Sequence, residues 1–503
     1  MKRYYFALAL LGLASHAFAQ SEADALRFSR TQFGGSARTQ AIGGATTALG
    51  ADVGNLSGNP AGLGLFQRSE FTFTPGFGLA NTKTSGLGTS VSDERNSLHV
   101  ANLAVVLANR LPDDDHTSDW RSGALGIGFT RTNDFNTQFR YSGAVDDRAS
   151  VYQRFREPRI DTTAIFRQYD RDQYYDLDAL AYGALITNVR ANGEVYIPTA
   201  LQRAGVITQS GVVTSSGAQT QFDIAYGASY RDKLYLGGAL GIVTTRYNET
   251  RELTETDADP TTSFNSLTQR DEDQFRGSAL NLRIGAIYRL SDWVRLGATV
   301  HTPTFGSQTI SYTTSLRTTF SPALRLTNNQ TTAGENVAIE PGEFSYRLNT
   351  PWRASGGVAV VAGKYGFFSG DVEYVDYSSA RLQDDPNDDF NDNFDIENQA
   401  IEENYRPAVN VRLGAEGRFD VFRVRAGYAR YGDPFANSDF DRTQQFFTGG
   451  VGLRQKNLFL DLAGVYTKSD RFYQPYTLAS DLQPRVQVQN NRFTTTVTLG
   501  VQF

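Results

Sequence analysis

Arginines and carboxylates are the reactive side chains that this sequence supplies in quantity. It holds 48 Lys+Arg and 54 Asp+Glu against four histidines and no cysteine. Without cysteine there is no disulfide framework, no thiolate nucleophile and no thiolate metal site. Three histidines lie beyond the first nineteen residues, His99, His116 and His301. None stands at metal-ligand spacing or beside a nucleophile motif, so neither a metal, a cofactor nor an enzyme activity is expected. The run from Asp384 to Asn393 is acidic, but Phe394 and Ala400 occupy the places where an EF-hand loop needs Gly and a bidentate Glu. It reads as a solvated loop. The remaining chemistry belongs to arginine, whose planar fork grips a carboxylate. Arg283, Arg353 and Arg412 are the candidates for holding a ligand carboxylate. Asp223, Asp371, Glu373, Glu416 and Asp461 are the acids that would otherwise pair with such arginines.

These residues recur on the polar faces of alternating stretches. Leu280, Leu282, Ile284, Ala286 and Tyr288 face one way, Asn281, Arg283, Gly285 and Arg289 the other. Val294, Leu296, Ala298 and Val300 repeat this against Arg295, Thr299 and His301. Val409, Val411, Leu413 and Ala415 oppose Asn410, Arg412 and Glu416. A period of two marks half-buried β-strands. The pattern predicts fourteen, near 70–80, 97–108, 121–132, 220–231, 233–247, 274–290, 293–320, 341–361, 365–379, 405–418, 422–432, 444–455, 458–468 and 489–503. Tight turns such as Arg231-Asp232-Lys233, Ser291-Asp292 and Lys456-Asn457 alternate with long polar connections, the largest 133–219. Short turns at one end and long loops at the other define an outer-membrane barrel, with the apolar face to lipid and the polar face to the lumen.

Both chain ends agree. Lys2-Arg3, the apolar run Tyr4 to Leu13 and Ala17-Phe18-Ala19 read as a secretory signal peptide cut after Ala19. The last residues, Arg492 to Phe503, form an alternating strand that closes on a terminal Phe. A mean hydropathy of -0.39 does not argue against a membrane location, because alternating strands average their hydropathy away. Tyrosine at 25 and phenylalanine at 33 suit aromatic girdles. The net charge of -6 gives no reason to expect nucleic acid.

Ahead of the first strand lies a Gly-rich stretch without alternation, Gly34 to Ala45 and on to Leu63, too small and polar to build its own core. Its pattern Ala51-Asp52…Asn55…Asn59-Pro60-Ala61-Gly62-Leu63 resembles the FadL/TodX family of outer-membrane transporters. Asn59, Pro60 and Ala61 match the Asn-Pro-Ala motif that ends the family's N-terminal hatch. The strand count, the Leu290-Ser291-Asp292-Trp293 hairpin and the Asp371 to Ser379 strand are similar too, so the resemblance spans the whole mature chain.

The resemblance implies an all-β transmembrane antiparallel barrel of fourteen strands: signal peptide 1–19, hatch or plug 20–66 inside the lumen, barrel 67–503. It implies a monomer in the outer membrane of a Gram-negative cell, among phospholipid and lipopolysaccharide, passing long-chain fatty acids or aromatic hydrocarbons. Ligand would be captured by extracellular loops, held in a lumen pocket and released sideways beside a kinked third strand. Gly123, Gly126 and Gly128 are the expected kink. A helix near 174–190, with Leu177, Leu180, Ala181, Ala184 and Leu185 on one face, is the expected capture surface. Two other functions fit such a barrel: a PorV-like docking or shuttle component of a secretion system, and a general porin.

Overall fold

The computed structural model describes residues 18–503 apart from 116, 157–159, 202–204, 258, 260, 327–328 and 388–392. Residues 1–17 of the expected signal peptide, His116 and half of the acidic run therefore lie outside the described residues. Fourteen antiparallel strands form the wall: β1 Glu70–Gly86, β2 Thr89–Arg110, β3 Trp120–Asp134 continuing as Thr137–Asp146, β4 Val206–Tyr230, β5 Leu234–Thr256, β6 Phe264–Arg289, β7 Val294–His301 continuing as Phe305–Arg325, β8 Gly342–Asn349 continuing as Arg353–Val361, β9 Gly366–Asp376 continuing as Arg381–Asp384, β10 Pro407–Phe419, β11 Phe422–Tyr431, β12 Gln444–Gln455, β13 Leu458–Tyr473 and β14 Val486–Gln502. Each strand pairs with the next, and β14 pairs back onto β1 from Glu70↔Gln502 to Ser85↔Gln487, so the barrel is closed. Closure removes the free edges that would otherwise seek another chain.

The expected parity of the strands matches the observed faces. Leu280, Leu282, Ile284, Leu296, Leu413, Leu460 and Leu499 are exposed on the outside, while Arg283, Asn281, Thr299, Asn410, Glu416 and Asp461 are buried within. The tight turns carry left-handed residues, Arg231 and Asp232, Asp420, Lys456 and Gly363, as short hairpins require.

Three features depart from the expected segmentation. The long connections are largely strand: β6 alone has 26 residues, against about ten needed to cross a bilayer. The wall therefore rises well past a membrane at the long-loop end. There residues 147–156 and 160–201 share one apolar core with it, including Phe139, Tyr152, Phe155, Leu180, Leu267, Leu316 and Val488. Second, β7 and β8 are each interrupted, at 302–304 and 350–352, where Pro303 and Pro351 cannot donate to the ladder. Third, β3 leaves its neighbour β2 part-way up.

The N-terminal segment runs along the inner wall. Helix α1 (Phe18–Ser29) sits toward the long-loop end, packing Ala25, Leu26 and Phe28 among Phe135, Tyr247, Phe275, Tyr346 and Tyr405. Helix α2 (Ala37–Ala41) and two 3-10 turns, Val53–Leu56 and Pro60–Leu65, follow toward the short-turn end. Inward-facing residues hold this segment: Thr498 accepts from the Ala37 N–H at 2.7 Å, Asp371 from Thr47 at 2.9 Å, and Ser122 donates to the Gly64 carbonyl at 2.7 Å.

Candidate functional site

Three polar strand residues, Arg283, Arg353 and Arg412, come from β6, β8 and β10, and all point inward. Arg283 is ion-paired to Asp223 and donates to the Ser57 carbonyl at 3.3 Å. Arg412 pairs with Glu373 at 2.9 Å and donates to the Tyr431 hydroxyl at 3.2 Å. Arg353 donates to Thr31 Oγ1 and to the Ser29 carbonyl. Among the described residues it has no carboxylate within ion-pairing distance. The sequence brought these arginines to one lumen, and the structure separates them: two are spent on buried pairs, one is held by neutral oxygens.

Arg353 and Arg412 border a cavity of about 120 Å³ below α1. Thr31, Gln219, Gln221, Asn281, His301, Thr302, Thr350 and Glu373 also line it, with Phe28 and Phe33 as its larger apolar walls. Gln219 Oε1 and Asn281 Oδ1 are unpaired acceptors there. The breaks in β7 and β8 place Thr302, Thr304 and Thr350 on its rim. The lining of this cavity is mostly polar. The aromatic chamber lies just above and is filled by Phe28, which packs edge-on or tilted against Phe135, Tyr247 and Phe275 at 5.5–6.2 Å.

Helix α1 also buries Asp24 and half-buries Glu22. Removal from water pushes the Asp24 carboxyl up to about 7, and the adjacent Arg27 guanidinium pulls it back only partly. Glu22 is raised for the same reason, countered by the hydrogen bond from Asn404.

The Asn-Pro-Ala motif has a clear structural role. Asn59 caps the Pro60–Leu65 turn by accepting from the Ala61 N–H at 3.1 Å. Its amide donates to the Thr47 carbonyl at 2.7 Å and to the Ala286 and Ala298 carbonyls of β6 and β7 at 3.3 Å. One side chain thus ties the turn, the rest of the segment and the wall together. The wall makes room with inward glycines that sequence reasoning passed over. A Cβ on Gly285 would stand 1.8 Å from Asn59 Oδ1, and one on Gly297 2.1 Å from the Thr47 carbonyl oxygen. Gly227, Gly237, Gly414 and Gly427 meet Pro60, Ile42 and Gly43 in the same way. Their signal was present: glycine at polar-face positions of alternating strands.

The third strand does bend, but not where expected. Gly123, Gly126 and Gly128 sit in unbroken pairing with β2 and β4. Gly126 and Gly128 face inward and give Leu56 its space, while Gly123 faces out beneath Tyr226. The β2–β3 ladder stops at Asn102↔Thr130, and the β3–β4 register shifts between Arg131 and Asn133. Opposite the shift, Gly217 of β4 has φ +117° and its missing Cβ would lie 2.1 Å from the Arg246 carbonyl oxygen, so only glycine fits. Its carbonyl accepts from the Phe135 N–H at 3.1 Å and from Arg131 at 3.2 Å. The extra residue is Thr132 of β3, so a bulge in the bent strand, not its glycines, accompanies the bend. Where the pairing stops, a cavity of about 70 Å³ lies on the lumen side of β2 and β3, lined by His99, Ala101, Arg131, Asn133 and Phe33 and reaching Arg492 of β14.

The expected capture surface is also corrected. Helix α3 (Thr162–Arg171) precedes helix α4 (Leu177–Gly183), whose apolar face is used up in packing. Leu180, Ala181 and Ala184 are buried in the core of the long-loop end, and Leu177 and Leu185 pack against it. What stays exposed nearby is Phe166 and Tyr169 on α3, and Tyr175.

No family model matches the sequence, and no curated protein matches it. Solved structures do. The crystal structure of the Pseudomonas putida toluene transporter TodX aligns over 94% of this chain and 99% of its own, at 13% identity and a TM-score of 0.52. That of a Pseudomonas aeruginosa FadL homologue aligns over 93% and 98%, at 12% identity and a TM-score of 0.52. The chain has the fold of the FadL/TodX outer-membrane transporters, a closed fourteen-strand barrel.

Proposed function

We propose that this barrel passes hydrophobic or amphipathic small molecules across the outer membrane, with residues 20–66 as a plug and the β2–β3 gap as a lateral exit. The observation that carries this is the end of the β2–β3 ladder at Asn102↔Thr130, with β3 turned into the lumen beyond it. The plug blocks the axis, so a solute leaves sideways. In this reading the short-turn end is periplasmic and the long-loop end extracellular. Capture falls to the exposed rings of Phe166, Tyr169 and Tyr175. The protein works as a monomer, surrounded by phospholipid and lipopolysaccharide.

The polarity of the lumen narrows the ligand. A plain hydrocarbon gains nothing from Thr, Gln, Asn and Arg around a small cavity, whereas an amphipathic acid has a use for them. Arg353 is the anchor of choice, since a carboxylate arriving there displaces no existing ion pair. Arg283 and Arg412 are then structural.

A second reading has one observation in its favour. A polar, filled lumen under a well-packed cap also suits a barrel that docks other proteins in a secretion system. Native mass spectrometry of the purified barrel separates the two. A bound long-chain acid, lost in Arg353→Gln, supports transport. A ligand-free barrel retained with a protein partner supports docking and contradicts transport.

A further inference from the structure

The bent part of β3 touches a strand that it has no business reaching. In a regular barrel β14 and β3 are separated by β1 and β2, that is by three interstrand spacings or about 14 Å. Yet Arg492 of β14 donates to the Asp134 carbonyl at 3.1 Å and to the Asn136 carbonyl at 2.6 Å. It also ion-pairs with the Asp134 carboxylate at 3.2 Å. Arg492 itself sits in register between Ala80 of β1 and Thr467 of β13, so its backbone is where a closed wall requires it. The displacement is on the β3 side: residues 132–136 have come inward beneath β1 and β2.

Backbone groups that leave a ladder need other partners. The carbonyls of the bend find three. Thr132 accepts from the Gln32 N–H at 2.8 Å, and Asp134 and Asn136 accept from Arg492. Asn133 adds a bond to the Arg30 carbonyl at 2.9 Å. The Asp134 carboxylate is shared with Arg131 at 3.2 Å, and Arg492 and Asp134 are only 12% and 13% exposed. A buried, fork-shaped donor serving two carbonyls and one carboxylate is a fixed clamp.

We propose that Arg492 is a positioning residue whose clamp on Asp134 and Asn136 keeps this part of β3 on the inner face of β1 and β2, where Ser97 also reaches Asp134 at 3.5 Å, and so out of the β2 ladder at the lateral gap. Its consequence for transport rests on the lateral-exit reading; the clamp itself does not. Without Arg492 the freed carbonyls regain partners most simply by rejoining β2, and the gap narrows.

The chain has no cysteine, so two introduced thiols can be labelled without background. In the full-length barrel, nitroxides on Leu98→Cys of β2 and Thr137→Cys of β3 report the width of the gap by pulsed electron resonance. Arg492→Gln is expected to add a population shorter by about 5 Å, one interstrand spacing. Arg492→Lys keeps the charge but loses the fork, and is expected to add a smaller fraction of the same population. It also serves if the glutamine variant does not fold. Distance distributions unchanged in the folded variants overturn the clamp. Uptake of a labelled fatty acid, measured beside it, separates the two claims. A narrowed gap with uptake intact upholds the clamp and removes lateral exit. An unchanged gap with uptake lost removes the clamp and leaves lateral exit standing.

Discussion

Arg283 and its neighbour Leu282 show how sharply adjacent residues differ in this wall. The Arg283 side chain is 1% exposed and its partner Asp223 0%. Replacing Arg283 with Met leaves a buried carboxylate without compensation and is expected to cost about 3–5 kcal/mol. Replacing both partners by apolar residues should recover most of that loss, which urea unfolding of the three variants measures. Leu282 points outward and is 53% exposed. Leu282→Arg is expected to destabilise the barrel by about 2–4 kcal/mol in a bilayer, because the charge meets lipid. The same substitution in a detergent that hydrates the outer face should be milder. At this scale the sequence was informative, since alternation alone assigned both residues to their faces. It did not reveal which arginine lacks a carboxylate. That depends on Thr31 and Ser29, more than three hundred residues away along the chain.

Among the elements, the N-terminal segment depends on the wall's glycines. Gly285→Val would drive a side chain into Asn59, so the segment is expected to leave its seat and the barrel to conduct ions in planar bilayers, where the parent does not. Helix α1 should also respond to pH. Asp24, packed near Arg27, Glu249, Asp273 and Arg251, titrates at about 7 when docked against an ordinary value of 3.8. A raised acid favours the docked state fully below the ordinary value, and that advantage is lost as pH rises through about 7. Protection of the α1 amides should therefore fall by up to about tenfold per pH unit across that window, and Asp24→Asn should flatten the dependence. The existence of this segment was legible in its glycines and its Asn-Pro-Ala motif. The bend in β3 was not, because the residues that hold it beyond the Thr132 bulge, Gly217 and Arg492, come from two other strands. The long connections were misread for a related reason. Strands that rise above the membrane need no lipid-facing stripe, so polar stretches such as 248–256 carry little periodicity.

For the whole molecule, three observations converge. The N-terminal segment lies in the lumen, an apolar core packs at the long-loop end, and the β2–β3 ladder ends at Asn102↔Thr130, beyond which β3 runs along the inner face of β1 and β2. In the proposed reading a solute leaves such a barrel sideways, into the membrane. The closed fourteen-strand architecture was readable from alternation and turn spacing, whereas the position of the opening required the register between distant strands. Ala101 is 5% exposed and lines the same cavity as Arg492, and a tryptophan there would fill it without reaching Arg353 or the segment's Asn59 anchor. The most direct test is therefore uptake of a labelled long-chain fatty acid by cells carrying the parent barrel or its Ala101→Trp variant at equal surface levels. The account expects uptake by the variant to fall to the level of cells lacking the barrel. Uptake equal to that of the parent would contradict lateral exit between β2 and β3.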